Sequence, residues 1–176
     1  MLDPDYRYCP RCRAPLTVLP LGGRERNVCT ECHFTHWNNP APVVAALVQV
    51  GDEILLARNA AWPEKMFALI TGFLEPGETP EHGVARELKE ETNLDAERVE
   101  LIGVYEFVRK NELIIAYHVT ASGSVKLNEE LAEYRMVRPE RLKPWRAGTG
   151  MAVADWMRAR GLPVEFVDRP IDPQPN

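Results

Sequence analysis

Gly72-Phe73-Leu74-Glu75-Pro76-Gly77-Glu78, then seven residues, then Arg86-Glu87-Leu88-Lys89-Glu90-Glu91-Thr92-Asn93-Leu94 is the stretch on which the reading of this chain turns. Thr79 offers an N-cap oxygen and Pro80 suits the first helical position, so a helix is expected over roughly Pro80 to Thr92. At about 100° per residue, Glu87 and Glu91 fall about 40° apart and Glu90 about 60° to the other side of Glu87, which puts three carboxylates on one face. Val84 and Leu88, with Ala85, form the apolar stripe that would hold the helix to a sheet. Crowding three carboxylates costs like-charge repulsion, and hard divalent cations such as Mg²⁺ or Mn²⁺ would reverse it. Cations held there can bridge pyrophosphate oxygens, neutralise developing charge and acidify a bound water, with one glutamate as base toward that water.

Working outward, Val43 to Val50 reads as a buried strand, Gly51-Asp52 as a hairpin turn and Glu53 to Arg58 as the returning strand. Phe67 to Thr71, Glu100 to Val108 and Leu113 to Thr120 are further strands, and a last helix is expected from about Gly150 to Arg160, stopping at Gly161. Asn38-Asn39-Pro40-Ala41-Pro42 reads as a linker. The expected division is therefore 1–37, 38–161 and a Pro-rich tail 162–176, mobile or draped on the surface.

The four cysteines stand as two C-x2-C pairs, Cys9/Cys12 and Cys29/Cys32, sixteen residues apart. Four soft thiolates in two short knuckles suit tetrahedral Zn²⁺, and so small a module would draw much of its folding free energy from the metal. His33 and His36 are read as bystanders, and His82 and His118 as surface or core residues. No apolar run reaches the roughly 20 residues that span a bilayer, and the first residues lack the order of a signal peptide, so a cytoplasmic protein without membrane contact is expected. The net charge of −5 argues against a general grip on nucleic-acid backbone, and anionic substrates would need cations between themselves and the carboxylates.

The box at Gly72 to Leu94 resembles the signature of the Nudix hydrolase family, G-x5-E-x7-R-E-U-x-E-E-x-G-U, with Asn93 in place of the late glycine. Asn is the next residue able to take a left-handed cap, so the departure is mild. The resemblance implies an α/β/α sandwich with a mixed sheet. It also implies Glu87, Glu90 and Glu91 as metal ligands, an orienting Arg86–Glu78 ion pair, and Gly72 presenting its backbone near the metal. Glu129 to Val137 resembles a segment that adds a further carboxylate, placing Glu130 first and Glu133 second. An ordinary acidic helix face with pairs such as Arg86–Glu90 is the alternative that needs no chemistry.

A zinc ribbon ahead of this box is similar to the NADH pyrophosphatase branch, whose members release AMP from dinucleotides and in some cases remove nicotinamide caps from RNA. The branch's S-Q-P-W-P-F-P-x-S motif is absent after the box, so FAD, ADP-ribose and nucleoside diphosphate sugars stand beside NADH and NAD as substrates. A ring would stack on an aromatic face, with Trp62 preferred among Phe67, Phe73, Tyr105 and Phe107. The ribbon, with five Arg against four acidic residues in 1–37, is expected to support a homodimer rather than to touch NAD-capped RNA. The rival readings are a Nudix module that senses nucleotides or binds RNA without hydrolysis, and a pyrophosphatase of oxidised nucleoside triphosphates. The retention of Glu78, Glu87, Glu90 and Glu91 favours an enzyme, and the ribbon argues against the second rival.

Overall fold

Residues 6–168 are described by a computed structural model in which the chain forms two units, Met1–Pro40 and Ala41–Asn176. In the first, β1 (Thr17–Leu21), β2 (Arg24–Val28) and β3 (Thr35–His36) make a three-stranded antiparallel sheet. Gly22 and Gly23, both at positive φ (62° and 77°), supply the left-handed pair that a tight β1–β2 hairpin demands.

The second unit contains β4 (Ala41–Val50), β5 (Glu53–Asn59), β6 (Ile70–Phe73), α1 (Pro80–Thr92), β7 (Asp95–Phe107), β8 (Glu112–Ser122), β9 (Leu131–Val137) and α2 (Thr149–Ala159). Its six-stranded sheet runs β7-β8-β4-β5-β9 with β6 also on β4; β4 and β8 are parallel and the other pairings antiparallel. Central β4 is apolar without alternation because helices cover both faces. Val43, Ala45 and Leu47 meet Ile114, Ala116 and the α2 residues Val153, Trp156 and Met157. Val44, Ala46 and Val48 meet Tyr117, Val119 and the α1 residues Val84 and Leu88. The architecture is the α/β/α sandwich with a mixed sheet.

Local chemistry sets α1. The Thr79 side chain accepts from the His82 N–H (3.3 Å), and Pro80 opens the helix. Asn93 closes it at φ 62°, donating its N–H to the Lys89 carbonyl. Other boundaries differ from the sequence reading. β6 lies at 70–73 rather than 67–71, and Ala68 makes only an isolated bridge to Ala57. β7 begins at Asp95, because an edge strand needs no continuous apolar run, and two bulges absorb the irregular pattern. Glu129–Val137, read as a charged loop segment, contributes β9; charge on an edge strand discourages pairing with other chains. Of the tail, Leu162, Val164 and Val167 pack against the α2-side core, and the Val167 N–H donates to the Pro144 carbonyl (2.9 Å). That part is docked, because three apolar residues outweigh the flanking prolines. Expectations for residues 1–5 and for Pro170, Pro173 and Pro175 lie outside the described residues. Among the described residues no helix is long and apolar enough to cross a membrane.

Candidate active site

The loop 74–79 and α1 are tied together by Arg86. Its Nη2 and Nε donate to the two oxygens of Glu78 (2.8 and 3.1 Å), its Nη1 to Glu87 (2.8 Å) and Glu90 (3.1 Å), and its Nη2 also to the Phe73 carbonyl (3.1 Å). Glu78 accepts in addition from the Glu75 N–H (2.7 Å). The Arg86 bonds, then that backbone N–H, hold the Glu78 carboxyl down to about 2. The Arg86–Glu78 fork and the Arg86–Glu90 surface pair coexist, so one guanidinium orients the loop and braces two carboxylates.

Glu87 is seated against β6. A Cβ built on Gly72 would coincide with the Glu87 carboxylate, so only glycine lets this side chain cross the strand at that point. Glu91 is buried at 7% exposure, and no hydrogen bond to its carboxylate exists among the described residues. Burial, then the charges of Glu87, Glu130 and Glu90, push it up to about 8; burial also raises Glu87 against the pull of Arg86. Glu130 thus belongs electrostatically with Glu87 and Glu91. Glu133 instead pairs with Arg58 (3.0 Å). The Asn128 N–H bond to the Glu91 carbonyl (3.1 Å) ties the Glu130 loop to the end of α1.

This donor set fits a hard divalent cation. All its side-chain donors are carboxylate oxygens, the Glu91 carboxylate has no hydrogen-bond partner among the described residues, and the cradle at Gly72 brings Glu87 to the strand backbone. The knuckle cysteines fit a soft one. Their four Sγ atoms lie within 4.8 Å of one another, with Cys9–Cys32 at 3.5 Å and Cys12–Cys29 at 3.4 Å. Tetrahedral bonds of about 2.3 Å imply S–S edges of about 3.8 Å, close to this arrangement. The two knuckles repeat one backbone design: Arg13 and His33 donate to the Cys9 and Cys29 carbonyls (2.9 and 3.1 Å) at φ near 60°. Burial opposes ionisation of Cys9, yet N–H groups of Cys12 and Arg11 hold its thiol down to about 6. At Cys12 the Ala14 N–H pulls downward, but the Cys29 thiol and burial push it up to about 12.

A cavity of about 600 Å³ opens on the α2 side of the sheet. Thr71 lines it while the next residue, Gly72, faces Glu87, so the cavity and the carboxylates lie on opposite faces of β6. Trp62 and Phe107, both considered from sequence, are in its wall. Phe73 is not; it is 59% exposed and contributes its carbonyl to Arg86. Phe67 is buried under Arg135, and Tyr105 donates its O–H to Asp155 (3.0 Å). Sequence reasoning passed over Trp145, Glu112, Arg109, Lys110 and Arg146, which also line the cavity. The run Lys143-Pro144-Trp145-Arg146, an aromatic in a basic loop, was the one available signal.

A profile of the NUDIX domain matches residues 39–155. This chain belongs to the Nudix family. It is 27% identical to the NAD-capped RNA hydrolase NudC of Pseudomonas fluorescens over 72% of this chain and 45% of that one, and 28% identical to the Pseudomonas putida protein of the same name over 94% and 61%. It therefore spans about half the length of these curated relatives. A crystal structure of a NUDIX hydrolase from Nitrosomonas europaea shares the fold, with a TM-score of 0.74, 24% identity and coverage of 93% and 99%. The NUDIX match thus runs from just before β4 into α2, and the four cysteines that precede it could hold a metal ion.

Proposed function

We propose that this chain hydrolyses the pyrophosphate linkage of a nucleoside diphosphate derivative, with a dinucleotide such as NADH, NAD, FAD or ADP-ribose giving AMP as one product. The observation that carries the proposal is Glu91, a buried carboxylate without a hydrogen-bond partner, flanked by Glu87 on its Gly72 cradle and within the field of Glu90 and Glu130. Burying a carboxylate this way is costly unless a cation compensates it. Glu87, Glu90 and Glu91 would hold Mg²⁺ or Mn²⁺. Bound there, such an ion supplies charge neutralisation at the phosphates and acidifies water.

The protein's own groups do the rest. Arg86 and Glu78 fix the loop that follows β6, so the carboxylates keep their positions as charge develops. Glu130, exposed and on the electrostatic edge of the cluster, takes the proton of the attacking water. Trp62, Phe107 and Trp145 receive a planar ring in the cavity and orient the pyrophosphate. Cys9, Cys12, Cys29 and Cys32 would hold a structural Zn²⁺. The names of the relatives make NAD-capped RNA a further substrate to test, and a homodimer supported by the first unit is the assembly to test.

The test is a hydrolysis panel with Mg²⁺ and Mn²⁺ on NADH, NAD, FAD, ADP-ribose, nucleoside triphosphates and NAD-capped RNA, with products identified by mass. AMP released from a dinucleotide is the expected result. Silence of folded, zinc-loaded protein with both metals would sink the proposal.

A further inference from the structure

The cavity wall contains three carboxylates, and they are not equivalent. Glu106 and Asp168 are exposed and stay hydrated; Glu112 is half-buried. It opens β8 on the same strand face as Ile114, two residues on, which forms the cavity floor with Val43. Among the described residues the Glu112 side chain has neither a hydrogen bond nor an ion pair within 4 Å. Burial pushes its carboxyl up, and Lys110, the charge that opposes this, acts only through space. A half-buried acceptor without a side-chain partner among Trp62, Phe107 and Trp145 is placed to receive an N–H group from a ligand, which would offset its desolvation.

We propose that Glu112 is a specificity-determining residue that accepts a hydrogen bond from an exocyclic amino group on the ring stacked in this cavity. It deepens the proposed function, on which it rests for the class of ligand. Two rings of a nicotinamide adenine dinucleotide share the chemistry: adenine through its 6-amino group, nicotinamide through its carboxamide. A carboxylate rewards either and repels a ring bearing a carboxylate in that place.

Binding of four mononucleotides tests this, followed through the fluorescence of Trp62 and Trp145 in wild type, Glu112→Ala and Glu112→Gln. The pairs are AMP against purine riboside monophosphate, which lacks the 6-amino group, and nicotinamide mononucleotide against nicotinic acid mononucleotide. Wild type should favour the amino-bearing member of one pair by about tenfold or more, the scale of a hydrogen bond to a charged acceptor. The pair that discriminates names the ring. Glu112→Ala should bring that pair within about twofold, and the isosteric Glu112→Gln should fall between. No preference in wild type, no binding of any of the four, or a preference that survives Glu112→Ala would overturn the inference. Hydrolysis is measured separately. Discrimination without cleavage of any dinucleotide would sink the proposed function alone, and cleavage without discrimination would sink the inference alone.

Discussion

The cysteine cluster of the first unit and the glutamate cluster on α1 both gather groups that repel one another when ionised, yet they are assembled by opposite means. Each cysteine knuckle is closed by its own backbone, through the Arg13 and His33 N–H bonds, and the four sulfurs converge within 4.8 Å. Two of the glutamates depend on distant parts of the chain, Glu87 on the strand at Gly72 and Glu91 on burial beside the loop that carries Glu130, while Glu90 is braced within the helix by Arg86 four residues earlier. A converged thiol set suits a permanent ion. A carboxylate set braced by an arginine suits ions that arrive with an anionic substrate.

The sharpest way to break this contrast is Cys29→Ser. Structural zinc contributes on the order of 10 kcal/mol or more to folding such a module, so this variant should lose its zinc and the protection of β1–β3 in hydrogen exchange. The helix site should keep turnover within about twofold. Full zinc stoichiometry in the variant would refute the shared-ion reading. Next in size, Glu91→Gln should cut turnover by about 10³-fold, comparable to losing a principal transition-state contact, while circular dichroism stays native. Near wild-type hydrolysis would remove Glu91 from the metal site.

Gly72→Ala drives a methyl into the place of the Glu87 carboxylate and should lower turnover by about tenfold or more, with about 1–3 kcal/mol of destabilisation. Activity unchanged in that variant would show that the cradle is dispensable. The pH dependence sharpens the comparison further. Glu91, raised in the folded protein to about 8, contributes stability that is complete below about pH 4.5, its unfolded value, and is lost as pH rises through about 8. Glu78, lowered to about 2, acts in reverse: its contribution is present above about pH 4.5 and lost as pH falls through about 2. Without added Mg²⁺, the unfolding temperature of the second unit should therefore fall between pH 5 and 8. Added Mg²⁺ or Glu91→Gln should flatten that slope, and a slope that survives both would assign it to another group. Smallest is Asn93→Gly, where freedom at φ 62° offsets loss of the side-chain bond to the Ser124 carbonyl (3.3 Å), leaving stability within about 1 kcal/mol. A larger loss would show that the amide anchors the 124 loop.

What could be read from the chain followed from short-range chemistry. α1 matched its expected span because Thr79, Pro80 and Asn93 are complete stop and start signals in themselves. The knuckles were legible because a C-x2-C pair closes locally. β9 and the first half of β7 were not, because edge strands carry charge and alternate weakly, so only their partners β5 and β8 reveal them. The resemblance already ranked Glu130 ahead of Glu133; that Arg58 engages Glu133 was visible only in the fold, because Arg58 lies 75 residues away in sequence.

By itself, then, the sequence determined the helix with its shared acidic face and the paired knuckles, since each is written in spacings of a few residues that a helix or tight turn converts directly into geometry, and the sandwich class followed from the resemblance that the box carries. The cavity was decided by tertiary structure alone. Trp62, the β7–β8 hairpin end with Phe107 and Glu112, and Trp145 come from three separate segments and meet through the parallel pairing of β4 with β8 and the docking of the α2 side, contacts between segments for which no local signal exists.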